Sequence, residues 1–445
     1  MSVQLEHFVN NVQTLSGQGN WRELCDYLSK SSEVLLRNAA HLDTVLETLD
    51  VQQHSLGVLA ILCVKFALLQ QSPVVVGQGQ NATDFEALFL LFTDFIDSCN
   101  GEQIRYASDT LAEVCHSLRQ SLIDRNVAIR GIAVLQKAIR KVRISDTQLT
   151  SLHADLCQLC LVSKCLQPAL EFLDIDITEI SQENGHFDSK PFLLYYYYGG
   201  LIYAGLKQWE RALYYFEVAV ATPALAVSHI MLEAYKHYIL VSLILHGRIM
   251  PLPKYTSQVI VRFIRPLSQV YHDIASAFTT NNPAQLATVV NKHQDMINRD
   301  HNMGLVKQVQ ASLYKKTIQR LTQTFLTLSL ADMAHRVQLP NVQAAEKLVL
   351  DMIEEGEIYA TIHQKDGMVV FHDSPNHFDS PSTLQRLGKY VSLCMELDKQ
   401  IQKMEEEILV NPQYVKKASG AQDEDLPASA GNMAAGSSKM PTFAM

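Results

Sequence analysis

Two cysteines separated by two residues, Cys157 and Cys160, have the spacing of a redox pair or of half a zinc site. A structural zinc site would need a second pair of ligands, and Cys165 is the only nearby candidate. A thioredoxin-type pair would need a βαβ setting, whereas the surrounding sequence has helical periodicity. We therefore interpret Cys157 and Cys160 as buried structural thiols.

The sequence lacks the other common signatures of catalytic sites. It contains no HExxH, no GxxxxGK[ST] phosphate loop and no GxSxG elbow. The sixteen histidines are scattered, and His153, His229 and His237 lie on helical faces, where hydrogen-bonded or surface histidines are commoner than ligands. The sequence therefore predicts a protein that is not an enzyme, with no catalytic residue, metal or cofactor. A stand-alone hydrolase is the alternative.

Composition limits the partners and the compartment. The formal net charge is −9, from 37 basic and 46 acidic residues, which disfavours generic binding to nucleic acids or anionic membranes. The longest apolar stretch, Leu56 to Leu69, is interrupted by Lys65 and is shorter than the roughly 18 residues of a membrane helix. The N-terminus lacks the pattern of a secretory signal, and eight cysteines are too few for a disulfide scaffold. We expect a soluble intracellular protein.

Four consecutive tyrosines precede two glycines in LLYYYYGGLIYAGLKQWERALYYFEVAV, residues 193–220. Such a cluster could form a ligand pocket, a stacking surface for nucleic-acid bases, or packing between helices. Tyr196, Gly199, Gly200 and Tyr203 fall on one helical face, while an opposite face is also apolar. A helix that is apolar on two faces is covered on both. Because no convergent polar groups accompany the rings, the pattern favours packing.

The same stretch carries a repeat of small and large side chains. Gly200, Tyr203, Ala212 and Phe216 have the spacing of a tetratricopeptide-like helix pair, in which small residues let two helices approach closely. Cys157, Cys160, Ala169 and Leu173 occupy the same frame 43 residues upstream, and residues 104–122 with 127–142 form a weaker third copy. With helical periodicity nearly everywhere before residue 337, the fold class is mainly α, a helical-repeat solenoid.

A different module follows the repeats. Residues 305–326 form an amphipathic helix with a basic patch at Lys315, Lys316 and Arg320. Ser329 with Asp332 matches a capping box that opens the next helix. A further helix ends near Gly356, and two strands with Asp366-Gly367 at their turn complete the pattern. Two helices followed by a two-stranded wing predict a winged helix.

A winged helix raises the possibility of DNA binding through its second helix. Here residues 341–357 carry five acidic side chains against Lys347 alone, a net charge of −4, so phosphates would be repelled. We therefore interpret the module as a protein-interaction domain. Farther upstream is a basic stripe, which we interpret as a solvated face, with an acidic partner as the alternative: Arg130, Lys137, Arg140, Lys141 and Arg143.

The chain ends in a long helix and a tail. Apolar residues recur every three or four positions from Leu384 to Ile408, which is typical of a helix that packs in a bundle. Residues 418–445 are rich in Ala, Gly and Ser, and we expect them to be disordered. The predicted organisation is a helical-repeat array over 1–300, a helical end with the winged helix over 301–375, a bundle helix over 382–410 and the tail over 418–445.

The order of these modules resembles the PCI domain family, named for the proteasome lid, the signalosome and a translation initiation factor. The segments SLYKK (312–316) and HQKDGMVVFHD (363–373) carry the likeness. Longer segments are similar to the family of the third subunit of the constitutive-photomorphogenesis (COP) signalosome: residues 41–60, 99–110, 149–165, 193–247 and 301–308. The likeness covers nearly the whole chain.

The resemblance implies a non-catalytic scaffold subunit in a complex that removes a ubiquitin-like modifier from cullins and so regulates cullin–RING ubiquitin ligases. In that family the metallopeptidase centre lies in another subunit. A PCI subunit of the proteasome lid and a nucleic-acid-binding winged-helix protein are the alternatives. The implied partners are other signalosome subunits and, through the complex, cullin–RING ligases, with no nucleic acid and no membrane.

PCI subunits are similar in assembling through winged-helix edges and through a bundle of C-terminal helices. Carried over, the wing strand is a candidate for strand pairing between subunits, because an exposed edge invites an added strand. The candidate interface residues in the strand are Met368, Val369, Val370 and Phe371. Those of the bundle helix are Leu384, Leu387, Val391, Leu397, Ile401, Met404 and Ile408.

Overall fold

The computed structural model describes residues 3–71, 79–181, 188–224, 226–373 and 380–418. The chain divides into two compact units, Met1–Val370 and Phe371–Met445. Both consist mainly of helices, which confirms the predicted fold class. No helix of the described segments combines the length and the apolarity needed to cross a membrane. The domain boundaries predicted from the sequence stay a prediction.

The first part of the array begins at the N-terminus. Its helices are α1 (Val3–Gln18), α2 (Trp21–Arg37), α3 (Leu42–Thr48), α4 (Ser55–Gln71), α5 (Gly79–Ser98), α6 (Gly101–Ile104), α7 (Ser108–Asp124) and α8 (Ile129–Val142). Next come β1 (Gln148–Leu149), α9 (Ser151–Ser163), α10 (Gln167–Leu173) and β2 (Glu179–Ile180). The two short strands pair in parallel, with Gln148 opposite Glu179.

The remaining helices of the array lead into the C-terminal module. They are α11 (Ser189–Gly205), α12 (Trp209–Ala221), α13 (His229–His246), α14 (Gln258–Leu267), α15 (Gln269–Thr279), α16 (Pro283–Lys292), α17 (Gln294–Arg299) and α18 (Met303–Thr324). The module contains β3 (Thr327–Ser329), α19 (Leu330–Val337), α20 (Val342–Glu354), β4 (Ala360–His363) and β5 (Met368–Phe371). Helices α21 (Pro381–Val410) and α22 (Pro412–Ala418) follow.

The tetratricopeptide-like repeat is confirmed by the pairs α9/α10 and α11/α12. Gly199 and Gly200 face the second helix of their pair so closely that a Cβ atom on Gly200 would lie 2.6 Å from Cε1 of Phe216. The corresponding atom on Gly199 would lie 2.6 Å from Cε1 of Tyr215. Small residues at these positions therefore set the separation between α11 and α12.

Each helix pair turns through a single residue in the left-handed region. Lys164 (φ 58°) and Lys207 (φ 60°) occupy this position in successive repeats, 43 residues apart as the repeat frame requires. The next residue then donates its N–H to a carbonyl five positions back, as Cys165 does to Cys160 (3.1 Å) and Gln208 to Tyr203 (2.9 Å). This is the Schellman motif, which satisfies the open carbonyls at a helix C-terminus. Glycine adopts this conformation most readily, yet lysine occupies both positions.

The winged helix is confirmed, with one strand more than expected. Ser329 caps α19 by accepting the N–H of Asp332 (3.0 Å), as the capping box predicted, and Gly356 adopts a φ of 71° after α20. The wing, however, is three-stranded in the order β3-β5-β4, not two-stranded. β3 lies between α18 and α19 and pairs antiparallel with β5, with Leu328 opposite Val369.

The second unit contains the predicted long helix. α21 spans 30 residues, begins at a Ser380 cap that accepts the N–H of Thr383, and has no buried residue. Ala418, the first residue of the expected tail, ends α22, and residues 419–445 lie outside the described part of the chain.

We predict that Gly200→Ala destabilises the first unit by about 1–3 kcal/mol, because the new methyl group would collide with the packed ring of Phe216. The matched control is Gly304→Ala near the start of α18, where nothing lies within 4 Å of an added Cβ. That substitution should stabilise by roughly 0.4–1 kcal/mol through the unfolded chain. Urea unfolding followed by circular dichroism measures both, and equal midpoints for the two variants would contradict the close packing of α11 against α12.

Candidate assembly surfaces

Cys157 and Cys160 are buried thiols, as the repeat frame predicted. Their side chains on α9 are 2% and 0% exposed. Burial raises the pKa of both thiols, that of Cys160 to about 12. Neither is therefore present as the thiolate that redox chemistry or metal binding requires. Across the described ranges, no three His, Cys, Asp or Glu side chains come together in a way that could hold a metal ion.

The tyrosine cluster is packing with internal hydrogen bonds. Tyr195 and Tyr203 are fully buried and Tyr196 is 8% exposed. The hydroxyl of Tyr195 donates to the carbonyl of Phe172 (3.2 Å), and that of Tyr215 donates to the carbonyl of Leu173 (2.7 Å). These bonds connect α11 and α12 to the end of α10. The polar ends of the rings thus fasten one repeat to the previous one.

The three singled-out histidines have the roles expected of hydrogen-bonded core or surface residues. His153 is 2% exposed, and its Nδ1 accepts the N–H of Thr150 (3.1 Å), which closes a capping box at the start of α9. Buried His237 donates from Nδ1 to the carbonyl of Glu233 (2.8 Å). His229 is exposed at the first position of α13.

The basic stripe on α8 pairs with carboxylates of neighbouring helices. Salt bridges of 2.6 Å join Arg130 to Glu86, Lys137 to Asp97 and Arg140 to Glu171. Lys141 donates to the carbonyls of Asp97 and Cys99, and Arg143 pairs with Asp146. Ion pairs exposed in this way contribute little to stability. The stripe is therefore a solvated face whose positive charges are paired within the chain. This pairing disfavours the alternative of an acidic partner.

The second helix of the winged module presents carboxylates to solvent. Asp351 and Glu354 on α20 are exposed, and Glu355 and Glu357 just beyond it pair with Lys315 of α18. The hydrogen bond from Lys315 lowers the pKa of Glu355, so this carboxylate stays charged under ordinary conditions. Val342 and Leu350 of α20 are 44% and 45% exposed. An acidic helix with exposed apolar side chains fits a protein partner better than phosphates.

The expectation that Met368–Phe371 offers an exposed sheet edge is wrong. β5 is the central strand, because β3 occupies the side that the sequence pattern left open. Val369 and Phe371 are buried, at 0% and 6% exposure, while Met368 and Val370 are half-buried on the other face. In the described sheet the edges are β3 and β4, so strand addition would have to take place there.

The apolar stripe of α21 is exposed to solvent. Its seven predicted residues are 44–73% exposed: Leu384, Leu387, Val391, Leu397, Ile401, Met404 and Ile408. Tyr390, at 58% exposure, falls on the same side of the helix three residues after Leu387, and the sequence analysis missed it. The same three-and-four spacing could have identified it. Leu393 (44%) and Met395 (60%) extend the apolar surface beyond a narrow stripe.

Comparison with known proteins decides the family. A family model described as COP9 signalosome complex subunit 3, N-terminal helical repeats, matches residues 18–260, and a PCI domain model matches 290–373. The chain is 47% identical over 444 residues to COP9 signalosome complex subunit 3 of Drosophila melanogaster, covering 96% of this chain and 97% of that protein. This chain belongs to the COP9 signalosome subunit 3 family. The Dictyostelium discoideum subunit 3 is 37% identical over 396 residues, covering 88% and 92% of the two chains.

Membership of the COP9 signalosome subunit 3 family confirms the resemblance found in the sequence. The repeat model covers the array from the end of α1 to the start of α14, and the PCI model runs from within α16 to just beyond β5. In the likeness to the fly protein the match spans 96% of the chain, which includes most of α21. The surfaces described above are therefore features of a signalosome subunit 3 chain.

Acid should destabilise the array through His153. Burial lowers the pKa of His153 from 6.5 to about 4, so the unfolded chain binds a proton at pH values where the folded chain does not. The contribution of His153 to the free energy of unfolding is therefore fully present above pH 6.5. It is lost as the pH falls towards 4, and the total loss is about 3 kcal/mol. Protonation of Nδ1 would also remove the acceptor for the Thr150 N–H.

We predict that His153→Gln reduces this pH dependence. Glutamine at the same position of a capping box still accepts the Thr150 N–H but does not titrate. Urea unfolding at pH 7 and pH 5 measures the difference, with exposed His229→Gln as the control. An unchanged pH dependence in His153→Gln would show that His153 is not the responsible group.

Proposed function

We propose that this chain is a non-catalytic scaffold subunit of the signalosome, within a complex that removes a ubiquitin-like modifier from cullins and so regulates cullin–RING ubiquitin ligases. The observation that carries the proposal is the exposed apolar stripe of α21 in a chain of the subunit 3 family. The proposed partners are other signalosome subunits and, through the complex, cullin–RING ligases. The cytoplasm and the nucleus are its proposed locations.

The candidate nucleophiles support a role without catalysis. Cys157 is buried at the centre of the array, and its pKa is raised by burial and by the nearby Cys160 and Asp155. The pKa of Cys63 is raised likewise by burial, and next by Glu113. A nucleophilic cysteine needs a lowered pKa and access to a substrate. Cys157 has neither, and half-buried Cys63 lacks the lowered pKa.

The stripe of α21 supports assembly through a helical bundle. Its residues recur at three and four positions, so they stay on one side of a helix that supercoils with its partners. Covering a side chain such as Ile401 or Met404 contributes about 1.5–3 kcal/mol. Seven partly exposed apolar residues along one helix offer surface whose burial opposes the costs of association.

The winged helix is proposed to contribute a second interface at a sheet edge. β4 and β3 form the edges of the described sheet, whereas β5 lies between them. An added strand would pair with the backbone of β4 or β3. The half-buried Met368 and Val370 of β5 would then contact the neighbouring subunit through their side chains, while Val369 and Phe371 support the sheet from the core.

The bundle proposal predicts that Ile401→Asp with Met404→Asp releases the chain from its complex. Two carboxylates in a covered apolar seam would be desolvated without partners, which should weaken association at least a hundredfold. The measurement is the fraction of tagged chain that co-elutes with the other subunits in size-exclusion chromatography.

The matched control is Gln385→Asp with Ser392→Asp, which adds the same charge to exposed positions on the opposite side of α21. This variant should co-elute like the unmodified chain. Circular dichroism of both variants should show the same helical content, because none of the four side chains is buried. Full retention of the double aspartate variant of the stripe in the complex would refute the proposal.

The winged module should bind nucleic acid weakly or not at all. Filter binding of a double-stranded oligonucleotide at two salt concentrations should show no steep salt dependence, because the exposed carboxylates of α20 repel phosphates. Asp351→Lys with Glu354→Lys removes this repulsion and should raise the affinity. Tight, salt-sensitive binding by the unmodified chain would favour the nucleic-acid alternative instead.

A further inference from the structure

Helix α14 exposes apolar side chains although it belongs to the first unit. Among residues 261–267 only Ile264 is buried, at 1% exposure. Val261, Phe263 and Leu267 are 48%, 53% and 59% exposed. Phe263 and Leu267 are one turn apart and therefore form a continuous apolar pair. Neighbouring exposed apolar side chains on an ordered helix form a candidate interaction surface.

The same helix lies in a segment without acidic residues. Between Glu233 and Asp273 the sequence has no Asp or Glu, although the net charge of the chain is −9. Five basic residues occur in this segment: Lys236, Arg248, Lys254, Arg262 and Arg265. The segment is therefore locally basic within an acidic chain, and carboxylates from outside the segment have to balance its positive charge.

The acidic side chains around this segment are already engaged. Lys236 forms salt bridges with Glu233 (2.6 Å) and Asp300 (2.9 Å). Asp273 pairs with His293 (3.5 Å) and accepts a hydrogen bond from Gln269 (2.9 Å). Over the described ranges, the salt bridges of this region involve none of the other four cations. In the described part of the chain, no carboxylate forms a salt bridge with Arg262 or Arg265. Arg262 adjoins the Phe263 ring, and Arg265 follows Arg262 about one turn later, on the side of the helix away from Phe263 and Leu267.

We define the basic apolar face of α14 as Val261, Arg262, Phe263, Arg265 and Leu267. The Arg262 guanidinium lies 5.6 Å from the centre of the Phe263 ring, so cation and apolar surface are contiguous. We propose that this face docks an acidic segment of a protein partner in which aliphatic or aromatic side chains alternate with Asp or Glu. The apolar groups would cover Phe263 and Leu267, and the carboxylates would pair with Arg262 and Arg265.

Charge favours a protein segment over nucleic acid or an anionic membrane. Both of those ligands extend far beyond a ten-residue helix and would meet the acidic surface of the rest of the chain. A short peptide responds mainly to charges within the screening distance of about 8–10 Å, where the two arginines dominate. The inference concerns a surface of the first unit and does not depend on the role of α21.

The test uses the isolated full-length chain and a fluorescein-labelled synthetic peptide in which glutamates alternate with leucine and phenylalanine. Fluorescence anisotropy should show binding that weakens as salt is added. Phe263→Ala with Leu267→Ala should lower the affinity roughly tenfold or more, and Arg262→Glu with Arg265→Glu should lower it at least as much. Ile144→Ala with Val162→Ala, which removes exposed apolar groups elsewhere, should leave the affinity unchanged.

Several results would overturn the proposal. Equal affinity for the same peptide with lysine in place of glutamate would show that acidic groups are not selected. Tighter binding of phosphatidylserine vesicles or of a single-stranded oligonucleotide, lost in Arg262→Glu with Arg265→Glu, would assign the face to another ligand class. Unchanged peptide affinity in both α14 variants would place the binding elsewhere.

A photo-crosslinker introduced at Phe263 in the purified complex gives an independent readout. It should capture an acidic stretch of another subunit, identified by mass spectrometry of the linked peptides. Capture only of this chain's own C-terminal segment, which includes Asp423, Glu424 and Asp425, would show an internal contact and contradict docking of a partner.

Discussion

A helix that is apolar on more than one side has to be covered on more than one side, and in the array only the adjacent helix pairs can do this. α11 shows the constraint most clearly, because Gly200 meets Phe216 of its own pair while Tyr195 reaches back to the carbonyl of Phe172. The first contact closes the helix pair itself, whereas the second can form only when the preceding repeat is in place. Stability in such an array is therefore shared between neighbours instead of residing in single repeats.

The far end of the array is fixed by a buried polar network. Lys236 of α13 pairs with Glu233 and Asp300, Tyr271 donates to Asp300 (2.7 Å), and Asn302 donates to the Tyr271 hydroxyl (2.9 Å). Burial opposes the charge of Lys236, but the two carboxylates outweigh it and raise its pKa. Because buried charges need their partners in defined positions, the network fixes the start of α18 relative to α13 and α15. α18 then leads directly into the winged helix.

The sequence predicted those parts of the structure that depend on local spacing. The repeat frame, the Ser329 cap, the turn at Gly367 and the stripe of α21 all follow from residue types at fixed offsets. The sequence-based prediction was wrong where the structure depends on pairing between residues far apart in the chain. The three residues of β3 are too few to give a recognisable strand pattern. The predicted wing therefore lacked β3, and β5 was expected at an edge of the sheet. Likewise, no local pattern shows that the cations of α8 face carboxylates 40 and 44 residues before them and 31 residues after them in the chain.

The two units use apolar surface in opposite ways. In the first, the repeats bury Leu, Phe and Tyr side chains against one another, and some surface charges pair between neighbouring helices, as Arg140 does with Glu171. In α21 no side chain is buried, although its apolar residues would suit an interior. A helix of 30 residues is long enough to form through its own hydrogen bonds, so exposing the stripe does not prevent folding. The exposed stripe leaves apolar surface in contact with water. Burying that surface against another apolar surface would lower the free energy. The array therefore buries its apolar side chains within the chain, whereas those of α21 stay exposed to water.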